Sequence, residues 1–150
     1  MGGPLHVRPV TDADRAEWEP LWQGYLTFYQ KALPAEVTDV TWKRFLDPVE
    51  PVYALVAEID GQLVGLTHYV LHRATWALDC YCYLEDLFVS QAVRGHGVGR
   101  ALIEAVATAA REANASRLYW LTHETNTQAR ELYDKVATRT GFIHYGKAIE

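Results

Sequence analysis

The chain has 150 residues, a formal net charge of −5 at pH 7, and a hydrophobic share of 49%. That length fits one domain, residues 1–150, with a real core, and the apolar share excludes a disordered chain. The acidic balance argues against a nucleic-acid binder, whose surface is normally basic, and suits a cationic ligand.

Leu5 to Val10 reads as a short strand, after which Thr11 or Asp12 caps a helix. Leu21, Trp22, Tyr25, Leu26 and Tyr29 recur at helical spacing, and Pro20 predicts a kink or restart among them. A second helix is expected over Val40 to Leu46, ending before Pro48. Tyr53 to Ile59 and Leu63 to Leu71 are apolar runs joined by Asp60-Gly61-Gln62, a hairpin signal. Another strand spans Leu78 to Val89. It holds the only two cysteines, Cys80 and Cys82, whose side chains would lie about 7 Å apart on one face, a poor disulfide geometry. With no further Cys or His at ligand spacing they read as buried thiols, and no metal is expected.

Arg94-Gly95-His96-Gly97-Val98-Gly99 follows that strand and opens a helix with Val98, Leu102, Ala105, Val106, Ala109 and Ala113 on one face. Glycines at alternate positions leave the backbone open, so several N–H groups and the positive helix end can meet one anion. The nucleotide P-loop is excluded because no Lys-Ser or Lys-Thr pair follows. The dinucleotide fingerprint is excluded because the step from Gly97 to Gly99 is too short and the loop comes after four strands.

A strand over Arg117 to Thr122 follows, then a helix from Asn126 to about Thr138 with Ala129, Leu132, Tyr133 and Val136 inward. Gly141 ends it, and Phe142 to Ile149 is expected to be the last strand. The order β α α β β β α β α β implies an α/β fold, a mixed sheet with helices on both faces. The start, Met1-Gly2-Gly3-Pro4, leads into no apolar leader, and no stretch is long enough to span a bilayer. A cytoplasmic protein with no membrane or nucleic-acid partner is expected.

The pattern R-x-x-G-x-G, preceded by Leu87-Phe88-Val89, resembles the acyl-CoA-binding motif of the GNAT acetyltransferases. Downstream, Asn126-Thr127-x-Ala129-x-x-Leu132-Tyr133 followed by Gly141-Phe142 is similar to a second motif of that family. The resemblance covers essentially the whole chain. Tyr83-Leu84-Glu85-Asp86-Leu87-Phe88-Val89 most resembles the polyamine-acetylating members, and Val7-Arg8-Pro9 and Leu132 to Val136 are similar to small histone- and polyamine-acetylating ones. One departure is the insertion of Ala137-Thr138-Arg139-Thr140 between the tyrosine and Gly141, which alters the final loop.

The resemblance implies a central mixed sheet of six to seven strands flanked by about four helices. It implies acetyl transfer from acetyl-CoA to a primary amine: a polyamine, a lysine-bearing peptide or another small cation. The alternative is a catalytically silent CoA-binding sensor. Leu87, Phe88 and Val89 would meet the pantetheine arm. The backbone of Arg94, Gly95, His96, Gly97, Val98 and Gly99 would hold the pyrophosphate, with charge from Arg94 or Arg100. Asn126 would orient the cofactor or cap its helix, and Tyr133 would be the general acid or a core tyrosine.

Glu85 is the candidate base, sharing a face with Tyr81 and Tyr83 by alternation; an edge carboxylate or a charge attracting the substrate is the other reading. Asp86, the second candidate, is expected on the opposite face with Cys82, Leu84 and Phe88 unless a bulge changes the register. His123 either relays protons or ends its strand structurally. Trp22, Tyr25, Tyr29, Glu36, Tyr83 and Glu85 are the candidate acceptor groove, although core packing explains the aromatics equally well. A homodimer is the assembly that an exposed aromatic surface or the final strand would suit.

Overall fold

The computed structural model describes residues 2–150. β1 (Leu5–Pro9) leads through one tight helical turn, Asp12–Asp14, into α1 (Arg15–Phe28) and then α2 (Ala35–Leu46). β2 (Val52–Ile59), β3 (Gln62–Arg73) and β4 (Cys80–Val89) follow. α3 (Val98–Glu112), β5 (Ala115–Tyr119) and α4 (Thr127–Val136) complete the regular structure. The sheet order is β1-β2-β3-β4-β5, antiparallel except for the parallel β4–β5 pair. The expected mixed α/β class and its four helices are therefore present, with five strands among the described residues.

The missing strand is the last one. Residues 137–150 carry no regular structure, and Phe142, Ile143, Tyr145 and Ile149 are all exposed. Strand-forming side chains make a strand only when a neighbouring ladder and a packed face receive them. The last helix likewise stops at Val136, so Ala137–Thr140 extend the loop and not the helix. Both cysteines are free and buried, as their spacing implied.

α1 also departs from expectation, running unbroken through Pro20. That residue is exposed, so the carbonyl left without its N–H partner faces solvent. α2 starts at Ala35, earlier than the apolar spacing suggested, directly after Pro34. The Asp60-Gly61 turn has positive φ at both residues (53° and 78°), the conformation a tight hairpin needs.

Two helix layers clasp the sheet. Trp18, Trp22 and Leu26 of α1 and Trp42 of α2 pack on Val56 and Leu66. On the other face Ile103, Val106 and Ala110 of α3 pack on Leu55, Tyr69, Cys82 and Leu84, with Leu132, Tyr133 and Val136 of α4 at the margin. Gly24 explains how closely α1 lies on the sheet: a Cβ there would stand 3.0 Å from the Phe88 ring. An alanine at this position would push α1, and the tyrosine beside it, away from β4.

The β1–α1 junction is pinned by Arg8, whose guanidinium donates to both Asp14 oxygens at 2.8 and 2.9 Å. Those bonds lower the Asp14 carboxyl from 3.8 to about 2. Because the folded-state value is depressed, the stabilisation is complete above about pH 4 and is lost as pH falls toward 2. Asp14→Asn is expected to cost roughly 1 kcal/mol at neutral pH, the scale of a partly exposed ion pair, and progressively less as pH falls through about 2. Urea unfolding of both proteins across that range measures the difference.

Candidate functional site

The site begins where two parallel strands part. β4 and β5 pair at Cys80–Ala115, Cys82–Leu118 and Tyr83–Tyr119. β5 then ends, while β4 continues to Val89 with that edge unpaired. Backbone groups along an open edge need partners, and an extended ligand with amide groups can supply them as an added strand would.

A bulge in β4 sits at the same place. Tyr69 pairs with Leu84 and His68 with Asp86, so Glu85 is the extra residue. The bulge corrects the simple alternation read from sequence. Before it, Cys82 and Leu84 face α3; after it, Leu87 faces α3, while Phe88 and Asp86 face α1. Asp86 thus joins the face of Tyr81 and Tyr83, opposite to the side expected, and stands next to Glu85 at the splay.

A narrow cleft opens there. α1 supplies Tyr25 and Tyr29, β4 supplies Leu84, Glu85 and Leu87, the segment after β5 supplies Trp120 and Leu121, and α4 supplies Tyr133. Partial enclosure and the adjacent Asp86 charge raise Glu85 above the usual carboxylate range. Such a shift favours proton acceptance nearer neutral pH. Burial, followed by the negative charge of Asp86, raises both Tyr25 and Tyr29, and the Asn126 side chain opposes the effect on Tyr29 through a hydrogen bond. Tyr133 is pushed up to about 12, by burial first and then by Tyr29. Its ring meets Trp120 edge-on at 5.4 Å, which fixes the phenol at the cleft wall. Glu85 therefore faces three protonated tyrosines, Tyr25 and Tyr29 from α1 and Tyr133 from α4, with Asp86 adjoining Tyr25.

Beside the cleft, Tyr83 and Tyr119 stack at 5.0 Å, and the Tyr119 hydroxyl lies 2.7 Å from His72 Nε2. His123 is exposed, 5.9 Å from the Tyr29 ring. Two expected groove residues lie elsewhere. Trp22 is 6% exposed and its indole N–H donates to Thr38 Oγ1 at 3.2 Å, so helical spacing alone had not separated core from groove. Glu36 stands exposed on the first turn of α2, outside the residues lining the cleft. Leu84, Trp120, Leu121 and His68 were not anticipated. His68 stands on β3 directly across from Asp86, a pairing that no spacing in the sequence announces.

The glycine loop stands at the end of the open β4 edge. Val93 and Val98 are buried and hold it down, while Arg94, Gly95, His96 and Gly97 are exposed. Gly95 and Gly97 have φ of 85° and 78°, and a Cβ on either would meet no atom within 4 Å. Gly97 is the N-cap of α3, and the first amide to close a helical bond is Ala101, donating to the Gly97 carbonyl at 3.0 Å. The amides of Val98, Gly99 and Arg100 precede it without a partner inside the helix, and no side chain caps them. They form an anion cradle at the positive helix end. Arg100 leans toward Glu104 at 3.4 Å, and Phe88 turns its ring to Gly24 and Tyr25, leaving only its backbone on the cleft side.

Among the described residues no group of His, Cys, Asp and Glu has the arrangement of a metal site. Among the same residues no helix is long and apolar enough to cross a membrane.

Known proteins resemble this chain in sequence and in fold. Residues 17–137 match the profile of the acetyltransferase (GNAT) family. The chain is 35% identical over 141 residues to the D-amino-acid N-acetyltransferase HPA3 of Saccharomyces cerevisiae, covering 93% of this chain and 88% of that protein. It is 31% identical over 85 residues to a thialysine N-epsilon-acetyltransferase of Caenorhabditis elegans, covering 57% of this chain and 52% of the other. Among solved structures, the aminoglycoside N-acetyltransferase AAC(6')-Iy in complex with CoA superposes with a TM-score of 0.84 at 18% identity, covering 99% of this chain and 97% of the other.

Proposed function

The chain belongs to the acetyltransferase (GNAT) family and is an N-acetyltransferase, and from that premise we propose that it uses acetyl-CoA to acetylate a small primary amine. The observation that carries this reading is the juxtaposition at the β4 bulge: Glu85 shares one cleft at the strand splay with Tyr25, Tyr29 and Tyr133, and Asp86 adjoins Tyr25 beside it. The residues present fit acetyl-CoA, since the uncapped α3 amides suit a pyrophosphate and the unpaired β4 edge suits an amide-bearing arm. When bound, that co-substrate supplies a thioester carbonyl open to attack by a neutral amine.

The protein's own groups have the remaining tasks. Glu85 takes the proton from the incoming ammonium, directly or through one water. Asp86 adds the negative charge that draws a cation into the cleft. Tyr133 Oη donates a hydrogen bond to the thioester sulfur as the bond to carbon breaks. Leu87, Phe88 and Val89 present backbone groups to the pantetheine arm, and Arg94 and Arg100 add positive charge beside the glycine loop. Tyr25 and Tyr29 form the aromatic wall for the alkyl part of the amine, and Tyr83 extends it through its stack on Tyr119. Asn126 holds the Tyr29 hydroxyl and so shapes the same wall.

Within the class of small primary amines we favour an amino acid or short diamine, a reading supported by the acidic residues Glu85 and Asp86 and the tyrosine walls of the narrow cleft. Relatives named for D-amino acids and thialysine agree with that class. Thiol release from acetyl-CoA, measured over amino acids of both hands, lysine and thialysine, polyamines, aminoglycosides and histone-like peptides, tests it. Turnover is expected with the small amines; tight CoA binding without thiol release from any of them would favour a silent binding module.

The raised Glu85 adds a pH signature. A base works only when ionised, so kcat should fall as pH drops through the Glu85 value in the complex. In the free protein the Glu85 carboxyl is raised above the ordinary glutamate range of about 4.3, by burial first and then by Asp86. In Glu85→Gln the acid limb should vanish and kcat should drop about 100-fold. An unchanged limb in the variant would remove Glu85 as the base.

A further inference from the structure

Behind the cleft wall lies a buried polar chain that the acetyl-transfer steps leave unused. Trp18 is fully buried, and its indole N–H donates to His68 Nε2 at 3.0 Å. Since an indole nitrogen can only donate, Nε2 must be the acceptor. The ring proton of neutral His68 then sits on Nδ1, which lies 2.9 Å from Asp86 Oδ2. His68 is 2% exposed and is caged by Trp22 and Phe45, with ring centroids 5.1 and 4.6 Å away. Neither nitrogen has another partner, so the cage permits one tautomer and one ring orientation.

Asp86 is the outlet of this chain. Its backbone carbonyl accepts from Thr67 Oγ1 at 2.9 Å, and its carboxylate takes the His68 proton on one side while facing Tyr25 on the other. Asp86 is the first residue after the bulge, where a broken ladder leaves a strand free to twist. Without a fixed donor its carboxylate could rotate away from the cleft. We infer that His68 is a positioning residue: locked by Trp18, it holds the Asp86 carboxylate toward the amine side of the cleft. The inference rests on the proposed amine site and adds to it a component on β3 that touches neither substrate.

Two variants separate this role from ordinary packing. His68→Leu removes the donor to Asp86. His68→Asn places an amide nitrogen near the position of Nδ1 and restores it. Both leave the Trp18 N–H without its acceptor, so any general loss of stability is shared and their difference reads the Asp86 bond. His68→Leu is expected to lose about tenfold or more in kcat/KM for the amine, with the acetyl-CoA KM unchanged, and His68→Asn to recover to within about threefold of the parent. Equal activity of the two variants, or a leucine variant as active as the parent, would overturn the role.

A second readout needs no turnover. Long-range proton–nitrogen NMR of the parent protein should place the imidazole proton of His68 on Nδ1, with Nε2 bare. A proton found on Nε2 would overturn the wiring, even if the leucine variant fails to fold. If no amine is acetylated but the Nδ1 tautomer is present, the amine-site reading fails while the Trp18–His68–Asp86 chain stands.

Discussion

Tyr133→Phe is expected to lower kcat about 100-fold while leaving the acetyl-CoA KM within about twofold of the parent. The size of the effect follows from acidity. Tyr133 is raised to about 12, whereas an ordinary thiol titrates near 8.5. Handing its proton fully to a thiolate would therefore run uphill. The phenol instead stays protonated and donates a hydrogen bond to the charge developing on sulfur. Such a bond to a charged group contributes about 1.5–3 kcal/mol, which corresponds to roughly 10- to 150-fold. That is well below the loss expected of an obligatory proton donor. KM should be spared because Tyr133 lines the cleft with Glu85 and is not part of the glycine loop proposed to hold the phosphates. The phenylalanine ring keeps its contact with Trp120, so Tm should hardly change. Steady-state kinetics with acetyl-CoA varied at saturating amine provides the check, and an unaltered kcat would remove Tyr133 from the chemistry.

Gly97→Val should raise the Kd for CoA about 100-fold. Gly97 sits at φ 78°, where a β-branched residue is strained, and it forms the N-cap from which α3 departs. Relief of that strain rotates the adjoining peptide and turns amides out of the cradle. Losing one or two charge-assisted bonds of about 1.5–3 kcal/mol each gives the expected change. The protein should still fold, because the space around an added Cβ is open. Calorimetric titration with CoA separates the outcomes: a folded variant binding CoA as tightly as the parent would mean that the loop does not hold the phosphates.

The elements that carry these two residues were legible in the sequence because they are local. A glycine run between a strand and a helix suggests an anion cradle within a few residues, whereas Tyr133, on the apolar stripe of its helix, took its proposed role from the family resemblance. What depended on partners far along the chain was not legible. The position of Asp86 required knowing that Glu85 has no opposite number on β3. His68 finds Trp18 50 residues away and Asp86 18 residues away, and no spacing rule reaches either. Trp22 obeyed the same helical period as Tyr25, yet one packs in the core and the other lines the cleft. Period identifies the inward face of a helix, not whether the sheet beneath it is closed or splayed. The final segment had strand chemistry, but strand propensity acts only through a neighbour, and Phe142 to Ile149 have none here.

The bulge also has a consequence for how such a site can be acquired. Because Glu85 pairs with nothing, β4 would keep every ladder partner if that residue were excised: Leu84 would remain opposite Tyr69 and Asp86 opposite His68. Both helix layers would find the same side chains beneath them. The carboxylate is thus a single-residue insertion into a sheet already complete without it. Loss of one in-frame codon would therefore withdraw the proposed base while the ladder partners and both packed faces stay in register.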